Sequence, residues 1–231
     1  MRRERTPIRN YCILSLASNQ FAMESTETRT VAVIGAGLVG ALAASMLAQR
    51  GWNVDLFEAR ADPRHTPPSS RARSINLALS PRGIEALRSV DPQLAETVKS
   101  EGVKMRGRMI HTPAKATGQT HTEAQDYGRY AEGEYISSIS RGLLSIYLLD
   151  HLDRLQGEKP TGRGNVNVHF NYKLKSMNMR IASGVDLTFD TEQGEQLQHF
   201  DLIIGGDGAY SKVRKEMMRG TRYVAPLSCV G

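Results

Sequence analysis

Apolar and polar positions along the chain follow two rhythms, one of strands and one of helices. Val31-Ala-Val-Ile34 is a short unbroken apolar run, mostly β-branched, that ends at Gly35, the pattern of a buried strand. From Leu38 to Arg50 small residues and leucines recur at helical spacing, and Gly51 stops them. Trp52-Asn-Val-Asp-Leu-Phe57 then reads as a second strand. The opening is therefore strand, helix, strand.

The segment Ala59 to Ser70 is rich in proline and serine and is expected to be a loop. Pro81 to Val90 reads as a helix with proline in its first turn, and Asp91-Pro92 opens another that runs to about Ser100. Val103 to His111 is expected as one strand, and Thr112 to Gly133 as a long loop or irregular hairpin. Tyr135 to Ser140 alternates as a strand. Arg141 to Leu155 follows as an amphipathic helix, with Leu144, Leu148, Leu152 and Leu155 on one face. After a solvated break from Gly157 to Gly164, the runs Asn165 to Phe170, Lys173 to Arg180 and Val185 to Thr191 read as three strands of a meander. A last strand, Phe200 to Ile204, leads into Gly205-Gly-Asp207-Gly208 and a helix from Ala209 to about Arg219. The whole predicts an α/β nucleotide-binding domain interrupted by insertions, with no internal repeat.

Composition narrows the function. The 231 residues are 40% hydrophobic and 23% charged, as in ordinary globular domains. A formal charge of +6 raises nucleic-acid binding, but the arginines are scattered and aromatics are 6% of residues, so no basic stripe with stacking rings is present. Small anionic ligands account for the charge more simply. Cys12 and Cys229 give no disulfide framework, and the histidines lack HExxH-type spacing, so no metal site is expected. No run of eighteen apolar residues is found, so no membrane segment is expected. Residues 1–29 carry Arg2, Arg3, Arg5 and Arg9 before a short apolar patch. They read as a presequence-like leader or, the preferred reading, as an extension upstream of a start at Met23. Residues 30–220 form the expected domain, and 221–231 an atypical tail.

The chemistry begins at Gly35-Ala-Gly37-Leu-Val-Gly40. Gly35 permits a tight turn, Gly37 lets backbone approach a pyrophosphate, and Gly40 lets the helix pack closely on the strand. Glu58, at the end of the second strand, can accept both hydroxyls of a ribose. A dinucleotide is the expected ligand. Asp207-Gly208 repeats the strand-to-helix passage late in the chain, where an aspartate can orient amides or accept from a hydroxyl.

These two motifs together resemble the flavin-dependent aromatic hydroxylases, single-component FAD monooxygenases. Arg73-Ser-Ile-Asn-Leu-Ala-Leu-Ser80-Pro-Arg-Gly83, Met105-Arg-Gly-Arg108-Met-Ile-His111, Ser138-Ile-Ser-Arg141 and Phe200-Asp-Leu-Ile-Ile-Gly-Gly-Asp-Gly-Ala-Tyr-Ser-Lys-Val-Arg214 sharpen the resemblance to the branch acting on L-kynurenine. It runs from about Val31 to about Arg219. It implies a Rossmann-like FAD-binding domain of the aromatic-hydroxylase type with an inserted, truncated β-meander substrate region. It also implies FAD contacts at Val39, at Glu58 with Ala59 and Arg60, at Ala78, Arg141 and Leu174, and near Asp207 and Gly208. Arg108 and Tyr127 are implied for the substrate carboxylate. Arg106 would share a face with Arg108 on a regular strand, and Tyr130 lies near Tyr127, so the choice follows the resemblance and not the spacing.

The implied reaction uses FAD, NADPH and molecular oxygen to hydroxylate L-kynurenine at the ring carbon beside its amino group, a step of tryptophan degradation and NAD biosynthesis. It requires no side-chain nucleophile or metal. Family members run to roughly twice this length, and eukaryotic ones sit on the mitochondrial outer membrane through a C-terminal segment that has no counterpart here. The expectation is therefore an incomplete chain with little turnover alone. A catalytically inactive FAD-binding fragment, a related hydroxylase with another aromatic acid, and an NAD-dependent dehydrogenase are the alternatives. The last is disfavoured by the run from Arg73 and by Asp207-Gly208.

Overall fold

A computed structural model describes residues 29–65, 75–113, 120–127, 135–157, 164–180 and 183–220. In chain order the elements are β1 (Thr30–Ile34), α1 (Leu38–Ala48), β2 (Asn53–Glu58), a single 3-10 turn (Pro63–His65), β3 (Asn76–Leu79), α2 (Pro81–Arg88), α3 (Pro92–Glu101), β4 (Val103–Met105), β5 (Gly107–Pro113) and β6 (Thr120–Asp126). There follow β7 (Ile136–Ser140), α4 (Arg141–Gly157), β8 (Val166–Phe170), β9 (Lys173–Arg180), β10 (Gly184–Thr191), β11 (Gly194–Phe200), β12 (Leu202–Gly205) and α5 (Lys212–Gly220).

The centre is a parallel sheet in the order β12-β1-β2-β8, and both of its faces are covered. That is why the β1 run is apolar throughout instead of alternating. Val31 and Val33 of β1, with Val54 and Leu56 of β2, point into a core shared with α1 to α4. Ala32, Ile34 and Phe57 point the other way, into a core closed by Leu174, Val185, Leu187, Phe189 and Phe200 of the antiparallel sheet β11-β10-β9. Phe57 is the hub there, stacked at 4.2 Å on Phe189 and at 4.8 Å on His169. Two smaller units complete the chain: the antiparallel sheet β3-β7-β4 and the hairpin β5-β6.

Four expectations are corrected. The strand after the solvated break, β8, belongs to the parallel sheet and not to the meander. The amides of Asn171 and Tyr172, at the turn that follows it, go to the carbonyls of Arg60 and Glu58 instead of closing a hairpin. The meander's third strand is β11, which was not foreseen. Apart from Phe200 at its end, which is buried and which the sequence reading places in the last strand, it is polar with Leu197 exposed, so it carries no alternating signal. The single strand from Val103 to His111 is two strands, because Arg106 breaks it: β4 pairs with β7, β5 with β6. The last helix starts at Lys212 and not Ala209, because its capping groups, Asp207 and Ser211, fix the start there. Within the stretch expected as a loop or irregular hairpin, residues 120–126 form β6, but its partner is β5 at 107–113, most of which was expected in the preceding strand. The leader with Cys12 and Met23, the residues Arg73, Ser74 and Tyr130, and the tail with Cys229 lie outside the described residues. Among the described residues no helix is long and apolar enough to cross a membrane.

Candidate active site

The site is built where β1, β2 and β12 end side by side. Gly35 leaves β1 at φ +97°, a conformation that side chains rarely adopt, and its amide donates to the Phe57 carbonyl at 2.7 Å. A Cβ on Gly35 would lie 2.8 Å from the Gly206 carbonyl oxygen and 2.9 Å from the Asp207 Cα. A Cβ on Gly40 would lie 1.9 Å from the Gly35 carbonyl oxygen, and one on Gly206 would meet the Gly40 Cα at 3.0 Å. Gly206 also donates from its amide to the Ile34 carbonyl at 2.7 Å. The late Asp207-Gly208 motif is thus laid directly on the early glycine turn, backbone against backbone.

Gly37 differs from its neighbours, since a Cβ there would meet nothing within 4 Å. It caps α1 in an extended conformation without a side chain, and the first turn of α1 holds no acidic residue. The positive end of that helix therefore faces open space, where an anion is favoured. Val39, in the same turn, is 71% exposed. An apolar side chain, a bare glycine and a helix N-terminus around one opening fit a phosphate with an organic group beside it.

Glu58 closes one side. Its carboxylate is buried at 8% exposure; one oxygen accepts from the Ala36 amide at 3.1 Å, the other from the Arg60 amide at 3.1 Å and Arg60 Nε at 2.8 Å. Burial alone would raise its pKa, but the hydrogen bonds and charge of Arg60, with the Ala36 amide, outweigh it and hold Glu58 below the ordinary carboxylate range. A carboxylate offers about four acceptor positions, so the oxygen facing Ala36 has one left for a hydroxyl. The Arg60 side chain, which occupies the other oxygen, is itself 82% exposed. Ala59, between them, is exposed.

Asp207 closes the other side. One oxygen caps α5, accepting from the amides of Lys212 at 2.6 Å and Val213 at 3.2 Å. The other is buried without a hydrogen-bond partner. A buried carboxylate oxygen left bare is costly, and a ligand hydroxyl or a water held by it would satisfy it. Gly208, at φ +80°, faces open space.

Six of the expected cofactor residues, Gly35, Gly37, Gly40, Glu58, Asp207 and Gly208, therefore share one mouth, with Val39, Ala59 and Arg60 on its rim. The others stand apart. Ala78 is exposed on β3, paired with Ser138, and Arg141 opens α4 with its amide given to the Ile75 carbonyl at 3.1 Å. Leu174 has its side chain in the core beneath Phe57, which leaves only its backbone for a ligand. Arg108 lies on the exposed hairpin β5-β6, where Nε donates to Gln125 at 2.7 Å across the ladder. Tyr127 is half-buried at the end of that hairpin, its amide given to the Arg106 carbonyl at 3.1 Å. Gln125 was not foreseen, nor was Gly206; a second glycine beside Asp207 was the signal for the latter.

A parallel sheet with a glycine turn, a ribose-type carboxylate and a late Asp-Gly loop over that turn defines a dinucleotide-binding domain. The chain belongs to the FAD binding domain family, whose pattern matches residues 28–227. It is 40% identical over 201 residues to the kynurenine 3-monooxygenase of Candida albicans, covering 86% of this chain and 40% of that protein. Against the kynurenine 3-monooxygenase of Saccharomyces cerevisiae it is 40% identical over 194 residues, covering 83% of this chain and 39% of that one. For that of Yarrowia lipolytica the figures are 42% over 201 residues, 83% and 40%. The chain thus spans about 40% of the length of these relatives. Among solved structures, p-nitrophenol 4-monooxygenase PnpA from Pseudomonas putida DLL-E4 superposes with a TM-score of 0.62 at 22% identity, over 82% of this chain and 44% of that one. Aklavinone-11 hydroxylase, solved with FAD and aklavinone, gives 0.57 at 22% identity, over 85% and 36%. The fold is that of the aromatic-hydroxylase type of FAD enzyme.

Proposed function

We propose that this chain is the FAD-binding part of an L-kynurenine 3-hydroxylase that uses NADPH and molecular oxygen. The observation that carries the reading is its identity of about 40%, across more than four-fifths of its length, with proteins named kynurenine 3-monooxygenase. The open mouth at Gly37 and the bare Asp207 oxygen support FAD as the occupant.

In this reading Gly35, Gly37 and Gly40 bring the pyrophosphate onto the first amides of α1, and Glu58 takes the adenosine ribose. Asp207 accepts a hydroxyl at the far side of the turn, while Val39 and Ala59 cover apolar surface. Ala78, Arg141 and the Leu174 backbone, outside that mouth, would contact other parts of FAD, as the resemblance implies. Bound FAD, once reduced by NADPH, supplies the oxygen-activating chemistry. Arg108 holds the substrate: Gln125 occupies its Nε, so both terminal nitrogens are left to grip the amino-acid carboxylate bidentately. Tyr127 donates its hydroxyl to the same carboxylate. Residues 30–220 act as one FAD-binding unit that carries part of the substrate region.

A segment exchange tests this. The stretch of the Candida albicans relative that matches residues 30–220 is replaced by this chain's own, and NADPH oxidation is followed with and without L-kynurenine. The reading predicts a flavin-loaded chimera stimulated by L-kynurenine that releases the 3-hydroxylated product. A flavin-loaded chimera indifferent to L-kynurenine but stimulated by another aromatic acid contradicts it.

A further inference from the structure

Two successive clamps of one design follow β2. In the first, Glu58 accepts the amide and Nε of Arg60, two residues on. In the second, Asp62 accepts the amide of Arg64 at 2.9 Å and its Nε at 3.0 Å, again two residues on. The sequence Glu58-Ala-Arg-Ala-Asp62-Pro-Arg64 thus carries the acid-x-Arg pattern twice, the acids four positions apart. The clamps differ in what the arginine does next. Arg60 reaches into solvent, whereas Arg64 is only 21% exposed and continues to α4. Its Nη2 donates to Asp62 at 2.7 Å, and its Nη1 to Asp150 at 3.2 Å and to Asp153.

One guanidinium therefore gathers three carboxylates, two of them one turn apart on α4. Exposed ion pairs taken singly contribute little, but convergent bidentate geometry at a half-covered site is the case in which they do. α4 is also the helix against which α1 packs, and Leu144, Leu148 and Leu152 share one core with Ala41, Ala44 and Ala48. The segment that bears Glu58 and the helix whose N-terminus faces the pyrophosphate opening are thereby referred to one common support. Between Glu58 and the 3-10 turn there is no helix or strand; the carbonyls of Glu58 and Arg60 accept from the amides of Tyr172 and Asn171, and beyond Arg60 the Asp62–Arg64 clamp ties the segment to α4.

We infer that Arg64 is a positioning residue for the adenosine ribose: by joining Asp62 to Asp150 and Asp153 it holds the Glu58–Arg60 segment at the distance from α1 that FAD requires. The inference rests on the reading of Glu58 as the ribose carboxylate. Arg64 touches no ligand in this account.

The test is a double-mutant cycle on the full chain, read by FAD and ADP titration, with circular dichroism and melting temperature as folding controls. Arg64→Ala is expected to weaken FAD and ADP alike by about tenfold. The pair Asp150→Asn and Asp153→Asn, which acts from the α4 end and is partly exposed, is expected to weaken both alike, and it serves if Arg64→Ala does not fold. In a Glu58→Gln background either change is expected to add less than about twofold, because the group being positioned is already lost. Losses that remain multiplicative in that background overturn the inference, since they mark general destabilisation. Unaltered affinity in folded variants overturns it as well. If the unmutated chain binds neither ligand, the cofactor reading and the inference fall together. If it binds both and only the cycle fails, the inference alone falls.

Discussion

Two glycines three residues apart are predicted to fail in opposite ways. Gly40→Ala places a Cβ 1.9 Å from the Gly35 carbonyl oxygen, at least about 1 Å inside any tolerated contact, and the obstacle is backbone. Helix α1 must then move off β1 and off the Gly206 loop. Overpacking of this kind costs about 1–3 kcal/mol, and the upper end applies because no side chain can yield. Alanine's better helix propensity returns at most about 1 kcal/mol. The net loss is about 2 kcal/mol, or roughly 4–8 °C in melting temperature for a chain of this size. Gly37→Ala meets nothing within 4 Å, and its φ of −73° suits any residue. Its stability should change by no more than about 1 kcal/mol, the usual range for a cap substitution. Its methyl group instead stands in the opening before the α1 amides. FAD affinity should fall at least about tenfold, as for a phosphate held off by the radius of a methyl group. Thermal melting and flavin fluorescence titration on both variants separate the two effects. A Gly40→Ala protein that melts with the parent refutes the close backbone approach. A Gly37→Ala protein that binds FAD normally refutes the placing of the phosphates.

Three further outcomes follow from the same geometry. Glu58 has its folded pKa below the ordinary value of 4.5, so its stabilising contribution is present above that pH and is lost as pH falls through the folded value; a Glu58→Gln variant should show a flatter acid limb in urea unfolding between about pH 5 and pH 2. Asp207→Ala removes the acceptor for two α5 amides and should cost about 1–2 kcal/mol in urea unfolding while also weakening FAD, whereas a pure cap would spare the FAD affinity. Arg108→Ala in the flavin-loaded chimera should leave the melting temperature within about 1 °C, since the side chain is exposed, and raise the KM for L-kynurenine at least about tenfold; an unmoved KM would transfer the role to Arg106 or another cation.

What the sequence shows about this site is its local part. The strand β1, the glycine turn, α1 and β2 are one contiguous stretch in which periodicity, turn residues and the arrival of Glu58 agree. Pairing partners are another matter. Val166, Val168 and Phe170 alternate as any half-buried strand does, and nothing in them indicates that β2, more than a hundred residues earlier, is their neighbour. A short turn to β9 invites a hairpin, and only the hydrogen bonds of Asn171 and Tyr172 to the end of β2 exclude it. β11 is an edge strand with little to bury, so hydrophobic alternation could not show it. The break at Arg106 decides which arginine lies on the hairpin, which no count of residues between the two reveals. The laying of Gly206-Asp207 on Gly35 is a long-range contact that the strand-Asp-Gly-helix pattern does not show by itself; the resemblance joins the two motifs only by placing FAD near both. The Arg64 clamp was also present in the sequence, as an acid-x-Arg pattern written twice. A charged loop rich in proline offers many such pairs, and only the position of Asp150 and Asp153 on α4 singles this one out.

The central claim is that the glycine turn, Glu58 and Asp207 together grip the ADP half of FAD. Titrating the full chain with FAD by flavin fluorescence, and then competing with ADP, measures this directly. The account predicts saturable binding of one FAD per chain that ADP displaces and that Gly37→Ala weakens. FAD binding that ADP leaves untouched, or the absence of saturable binding by the folded chain, would contradict it.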